Sequence, residues 1–372
     1  MGQQTIVVEN LFDGESLKAR QKLVIDNGLI VSIENAEQEN NALDGVLSAG
    51  FIDLQVNGGG GYLFNQSPDP DSLAQIAKAH QQFGTTGWLP TLITDELSVM
   101  ARAADAVSKA ILAEQNGILG IHFEGPHLSK PKRGVHNETI IRSISDSEMS
   151  LFLRRDLGIV MVTVAPENVS PEQIRELNQN GVIVSLGHSN ASYEVACNAI
   201  EAGAMGFTHL YNAMSQLNSR EPGMVGAALA HEDTFYGIIL DGIHLHSAAA
   251  KIAYRANPNM VLVTDAMPPV GTERREFNLG TSKVIREGFK LTDEQGRLAG
   301  SVLDMNSAVN NAQSMLNIKS EQAIKLATIN PAKFIGVNEY VGKIKAGMKA
   351  SMVLRNQAGE IKACWVNGTQ VV

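Results

Sequence analysis

From Leu47 onward, short apolar runs that stop on Gly, Pro, Asp, His or Glu alternate with helical patterns. Eight runs read as strands: GFIDLQV, GWLPTLI, GILGIHF, GIVMVTV, GVIVSLG, GAMGFTH, YGIILDG and MVLVTDA. Segments such as DSLAQIAKAHQQF lie between them, with Leu73, Ile76, Ala77 and His80 on one helical face. Strands alternating with helices predict a parallel sheet, and eight strand–helix units are the number that closes a TIM barrel. The pattern predicts an α/β fold with a TIM-like (β/α)8 barrel over residues 50–340.

The ends of the chain have another rhythm. The first 49 residues are short β-rich runs, with Asp26-Asn27-Gly28 as a hairpin signal, and residues 341–372 repeat that character. Together they predict one small β-sandwich domain built from both termini. A β-rich stretch at about 271–300, after the eighth strand, is expected to be an insertion in a βα loop, where barrels carry lids. Gly58 to Gly61 lacks the Lys and the spacing of a phosphate-binding loop and is expected to be flexible. Ser320 is expected to cap a helix and Pro331 to stop it.

The chain has 372 residues, ample for a large core, and no apolar run long enough to span a membrane. Its formal charge of −9 disfavours nucleic acid but leaves room for a small anionic substrate. The two cysteines, Cys197 and Cys364, are too few and too far apart for a disulfide framework and are expected to be buried apolar residues. The N-terminus has neither a signal-peptide pattern nor a myristoylation pattern, so a cytoplasmic protein is expected.

Composition narrows the class, but the strand ends carry the chemistry. They present Asp53, Gln55 and Asn57 on the first strand, Glu124 on the third and Glu167 on the fourth; His188, His209, Asp241 with His244, and Asp265 follow on the fifth to eighth. In a barrel these share the C-terminal rim, where residues distant in sequence become neighbours. A carboxylate after one strand is ordinarily a helix cap or a solvated turn, and one histidine there a satisfied polar residue. Several together suit a zinc-like divalent ion with a place left for water, and Asp265 would accept that water's proton. His122 is expected to line the barrel, His80 and His231 to be structural, and Met214 and Met267 to pack loops. His127 and His246 flank site loops with no role assigned.

At these residues the sequence resembles the amidohydrolase superfamily, and within it the deacetylases of N-acetylglucosamine 6-phosphate. The resemblance rests on FEGPHLS with RGVHN, SLGHS, THLYNAM, LDGIHL and VTDAMPPVG, with LSAGFIDLQVNG and VGKIKAGMKASMVLRN at the ends, and it spans essentially the whole chain. It implies Glu124, His188 and His209 as metal ligands and Asp265 as general base and then acid. It also implies His136 on the acetyl carbonyl, Asn212, Ala213, Arg220 and His244 on the sugar phosphate, and Leu298, Ala299 and Gly300 as a lining loop. Arg220 is expected to reach the neighbouring subunit's substrate, which implies a homodimer. The implied reaction yields glucosamine 6-phosphate and acetate, in amino-sugar catabolism and cell-wall recycling. The galactosamine epimer or a silent sensor are the alternatives. Gln55-Val56-Asn57 stands where many relatives carry His-x-His, and the fourth strand ends in VAPE without a lysine. One divalent metal per subunit is therefore expected, zinc first, with iron, manganese or cobalt as alternatives.

Overall fold

The computed structural model describes every residue except 1, 38, 40, 114–116 and 281. Eight parallel strands run Phe51–Val56, Thr85–Ile93, Gly120–Glu124, Ile159–Val164, Ile183–Leu186, Gly206–Phe207, Phe235–Ile238 and Met260–Leu262. They neighbour one another in chain order. The first and last meet across a parallel bridge from Val56 to Ala266, and the Ala266 carbonyl accepts from the Asn57 and Gly58 amides at 3.0 and 2.9 Å. The predicted barrel is present. Each strand is followed by a helix, beginning with Pro70–Gln81, which buries Leu73, Ile76, Ala77 and His80 and is capped by Asp69 accepting from the Ser72 amide.

Inside the barrel, His122 confirms its lining role. Its Nδ1 lies 3.0 Å from the Leu54 carbonyl, a pure acceptor, so Nδ1 carries the proton and Nε2 accepts from Thr163 Oγ1 at 2.7 Å. Thr208 Oγ1 is 2.6 Å from that hydroxyl and Ser185 Oγ 2.7 Å further on. Burial pushes His122 down to about 4, so the ring is neutral and the buried polar chain is satisfied without a charge.

Both termini build one seven-stranded sheet, in which strands Leu43–Ala49 and Met352–Arg355 are hydrogen-bonded neighbours. The sheet curls until its edge strand, Leu29–Asn35, meets residues 347–350 through Ile30 N to Met348 O at 2.9 Å. One folded-over sheet thus makes the two faces of the sandwich around Val8, Leu23, Ile25, Leu47, Met352 and Trp365. The hairpin turn uses Asn27 and Gly28, both at positive φ as a two-residue turn requires. After the eighth strand, Glu276–Leu279, Ser282–Glu287 and Lys290–Asp293 form a three-stranded antiparallel sheet with its own apolar cluster, which includes Phe277, Val284 and Met267.

Four expectations need correction. Gly58 to Gly61 is a packed hairpin: Gly58–Gly59 pairs with Tyr62–Leu63, and the Gly60 and Gly61 amides bond Val270 O and Pro268 O. The glycines allow close approach, since a Cβ on Gly59 would lie 2.7 Å from His80 Nε2. Pro331 does not stop a helix. Helix Ser320–Ala327 breaks at Thr328, and Pro331 sits in the first turn of Ile329–Phe334, where its missing N–H costs nothing; Ser320 is the first helical residue, after Lys319. Cys364 is buried, but Cys197 is half-exposed with Sγ 3.2 Å from His231 Nε2, because its helix turns Ala196 and Ala199 inward instead. His80 is structural as expected, its Nε2 donating to the Gly58 carbonyl at 2.9 Å inside the fold.

Gly120 opens the strand that ends on Glu124, and a Cβ there would stand 1.9 Å from the Ile159 carbonyl oxygen of the neighbouring strand. Gly120→Ala is expected to destabilise the fold by about 3 kcal/mol through overpacking against backbone. Chemical denaturation would read this directly, and an unchanged midpoint would show that the strands can part there.

Candidate active site

Four strand-end residues converge in the barrel mouth. Glu124 closes the third strand, His188 and His209 follow the fifth and sixth, and Asp265 follows the eighth. His188, His209 and Asp265 hold φ of 46°, 37° and 52°, a left-handed backbone that non-glycine residues seldom adopt. Each strand thereby turns sharply as it leaves the barrel. Tyr211 and Ala213 share that conformation, so the THLYNAM stretch is contorted along its length.

Glu124 Oε1 lies 3.2 Å from His188 Nε2 and 3.0 Å from His209 Nε2, and the two nitrogens are 3.0 Å apart. All three side chains are buried. His188 Nδ1 donates to the Lys132 carbonyl at 2.8 Å, which turns the lone pair of neutral Nε2 toward the other two atoms. Two imidazole nitrogens and a carboxylate oxygen so close need a positive charge among them. One oxygen and two nitrogen donors fit a divalent ion of the zinc type, with a coordination position to spare. His209 Nδ1 has no partner among the described residues.

Electrostatics of the metal-free site follow from the same crowding. Burial alone would raise Glu124, but the neighbouring His188 and His209 outweigh it and hold the carboxyl well below the usual range. Burial would lower His209, and the bond to Glu124 outweighs that, so its pKa rises. Asp265 is pushed up to about 7, first by burial and then by the Glu124 charge.

Asp265 is held by the two amides of the first strand. Gln55 and Asn57, two residues apart, face the same way. Gln55 Nε2 donates to both Glu124 Oε1 at 3.1 Å and Asp265 Oδ1 at 3.2 Å, and Asn57 Nδ2 to Asp265 Oδ1 at 2.6 Å. Sequence reasoning weighed these amides only as poor ligands; their spacing was the available signal for a donor role. Asp53 stays out of the mouth. It bonds Thr264 across the barrel seam, and burial pushes it up to about 7. Glu167 also faces elsewhere, accepting from Ser189 Oγ at 2.6 Å and the Asn190 amide at 2.8 Å, which shapes the loop beyond His188.

His136 belongs to the cluster's edge. Its ring lies 4.4 Å from that of His188, and its Nδ1 is 2.8 Å from Thr94 Oγ1, a partner that sequence reasoning missed. Burial pushes it down to about 3, so the imidazole is neutral. A cavity of about 420 Å³ under the inserted sheet reaches His136, Thr94 and Arg133. His244 Nδ1 is fixed by Asp241 Oδ2 at 2.6 Å, while Asp241 Oδ1 caps the Ile243 and His244 amides at 2.8 Å each. Asn212 and Ala213 lie on the contorted turn after His209. Leu298 bridges to Thr292, Ala299 is buried, and Gly300 needs its φ of 63° because a Cβ would meet the Asp265 carbonyl at 2.8 Å. Arg220 stands apart, exposed on the loop before helix Gly223–Ala230. His127 is held by the Arg142 carbonyl and His246 caps the helix Ser247–Ala256, so both are structural. Met214 and Met267 are buried in loop packing.

The whole chain is similar to known proteins. The Amidohydrolase family profile matches residues 46–371. An N-acetylgalactosamine-6-phosphate deacetylase of Shewanella sp. (strain ANA-3) is 53% identical over 87% of this chain and 82% of its own. An N-acetylglucosamine-6-phosphate deacetylase of Haemophilus influenzae is 34% identical over 94% of both chains. The crystal structure of the N-acetylglucosamine-6-phosphate deacetylase of Pasteurella multocida superposes with a TM-score of 0.95 at 34% identity, covering 99% of each chain.

Loading the metal-free protein with zinc at pH 7 is expected to release protons. Asp265, at about 7, is half protonated there, and a divalent charge drives its proton off. The sign for stability is the same: a raised carboxyl pKa favours the folded metal-free chain below the unfolded value, and that contribution is lost as pH rises through about 7. A pH-indicator titration in weak buffer measures the release, which Asp265→Asn should reduce; no release at all would mean the cluster holds no such protons.

Proposed function

The chain belongs to the amidohydrolase family, and on that premise we propose that it hydrolyses the acetamide of N-acetyl-D-glucosamine 6-phosphate to glucosamine 6-phosphate and acetate. The observation that carries the reading is the buried meeting of Glu124, His188 and His209 beside an Asp265 whose pKa is raised to about 7. Such a raised carboxyl suits a group that must take a proton and give it back near neutral pH. The place of the reaction is amino-sugar catabolism and cell-wall recycling, in the cytoplasm. None of the helices among the described residues is long and apolar enough to cross a membrane.

Glu124, His188 and His209 hold one divalent ion per subunit, zinc first. The ion supplies an activated water and a Lewis acid for the acetyl carbonyl. Asp265 takes the water's proton and delivers it to the departing amine, with Gln55 and Asn57 bonding Oδ1 and leaving Oδ2 for the transfer. The same two amides occupy the place where a second ion would need anionic or imidazole ligands, which supports a single metal. With His136 Nδ1 accepting from Thr94 Oγ1, 2.8 Å away, the neutral ring would offer Nε2–H to the carbonyl oxygen as negative charge develops on it. His244, oriented by Asp241, offers its Nε2 to the phosphate, and Asn212 and Ala213 add sugar-phosphate contacts. Leu298, Ala299 and Gly300 line the site on the side of Asp265. Arg220 is exposed and extends from its own subunit, which suits a homodimer in which it reaches the partner's substrate phosphate.

A second reading has one specific observation in its favour. The relative at 53% identity is a deacetylase of N-acetylgalactosamine 6-phosphate, whereas the glucosamine-named relatives stand near 34%. The acetamide and phosphate are shared by both epimers, so the residues above serve either, and only contacts to the ring's fourth hydroxyl separate them. Acetate release from the two sugar phosphates by the metal-loaded protein decides between them. Turnover of the glucosamine compound is expected; turnover of the galactosamine compound alone would transfer the assignment to the second reading, and turnover of neither would leave only a sensor.

The division of labour is tested by two isosteric variants. Asp265→Asn is expected to keep about one equivalent of metal and lose roughly a hundredfold to ten-thousandfold in kcat. Glu124→Gln is expected to lose metal affinity as well, since it removes the only anionic ligand. Equal metal content in both variants would contradict the assignment.

A further inference from the structure

One buried charge has no part in the barrel mouth. Arg355 ends the strand Met352–Arg355 of the terminal sheet and is 4% exposed. Its Nη2 donates to the Asn310 side-chain oxygen and, at 3.4 Å, to the Gly359 carbonyl. The guanidinium carbon sits 5.9 Å over the ring of Phe51, the first residue of the first barrel strand. Nε is buried with no partner among the described residues. Arg142 and Arg297 each meet a buried carboxylate at 2.7 Å, from Glu148 and Asp293. Arg355 meets none among the described residues, and burial without a counter-charge pulls it down to about 10.

A cavity of about 640 Å³ adjoins this group, bounded by Arg355, Asn310, Gln313, Ser314, Ser320 and Gln357 among others. Asn310, Gln313, Ser314, Ser320, Asn356 and Gln357 bring amides and hydroxyls to its wall beside apolar Val46 and Ile324, and Arg355 is the only charged residue among the described residues that line it. Ser320 opens the eight-residue helix Ser320–Ala327, whose first N–H groups add positive potential on the same side. The volume is that of a small-molecule site. A buried cation with no carboxylate is costly unless something negative joins it, and guanidinium geometry matches oxyanions through paired hydrogen bonds.

We propose that this cavity at the junction of the terminal sheet and the barrel binds a small oxyanion, a phosphate group above all, on the Arg355 guanidinium. The anion neutralises Arg355 and, through the contacts to Phe51 and Asn310, ties the sheet to the first strand and the eighth helix of the barrel. The site is separate from the one that performs hydrolysis, and its test reads no turnover.

The parent for the test is the full-length, metal-loaded protein carrying His244→Asn, which weakens phosphate binding in the barrel mouth. Calorimetric titration with inorganic phosphate at constant ionic strength is expected to show binding that remains in this parent. Arg355→Met should weaken it by about tenfold or more. Gln313→Glu should do the same by offering the guanidinium an internal carboxylate, and it decides the matter if Arg355→Met does not fold. A parallel titration with acetate separates a phosphate from a carboxylate ligand: dependence on Arg355 with tighter phosphate binding supports the proposal, and tighter acetate binding overturns the phosphate assignment. Phosphate affinity unchanged by both variants, or absent from the parent, overturns the site itself.

Discussion

The barrel mouth is governed by an electrostatic demand. Three side chains rich in lone pairs meet within about 3 Å of one another in a buried place, and only a cation can satisfy them together. Nearly every feature around them serves that meeting. The Lys132 carbonyl fixes the orientation of His188, the amides of Gln55 and Asn57 bond the carboxylates from the opposite side, and the left-handed turns bring the side chains in. The pKa directions express the same demand: Glu124 is held down, His209 up, and Asp265, at the margin, keeps a proton until a positive charge takes its place.

The barrel closes around that demand and helps to meet it. Val56 and Asn57 meet Ala266 across the seam, so the first and eighth strands place Gln55, Asn57 and Asp265 in register. Asp53 secures the seam from below through Thr264. The placement of Gln55, Asn57 and Asp265 therefore depends on pairing between segments more than 200 residues apart, Asp53 and Thr264 being 211 residues apart.

Much of this was legible in the residues. Apolar runs ending on Glu124, His188, His209 and Asp265 marked both the strands and their chemically active ends, because period and burial are written directly in side-chain type. The histidine at position 122 was legible for the same reason. Backbone conformation was not: nothing in His188, His209 or Asp265 announces a positive φ, which tertiary packing imposes against the residue's own preference. Side chains that act by donating hydrogen bonds were equally hidden, since Thr94 and Asn57 look like any polar residues until a partner is placed beside them. The glycine run misled in the opposite direction. Conformational freedom in the unfolded chain says nothing of the close approach to His80 and Val270 that uses it up. Pro331 misled because a proline's effect depends on its position within a turn of helix.

The shared terminal sheet has a consequence for how the polypeptide is made. Strands Gln4–Phe12, Leu17–Asp26, Leu29–Asn35 and Leu43–Ala49 are translated before the barrel, yet Met352–Arg355, which pairs with Leu43–Ala49, and the segment around Met348, which bonds Ile30, are translated after it. Throughout synthesis of the barrel, the inner faces of Val8, Leu23 and Ile25 have no completed sandwich to cover them. At usual rates of about 5–20 residues per second that interval lasts tens of seconds. The N-terminal hairpins are thus the segment with the longest wait for burial and the natural place for a chaperone to hold the nascent chain.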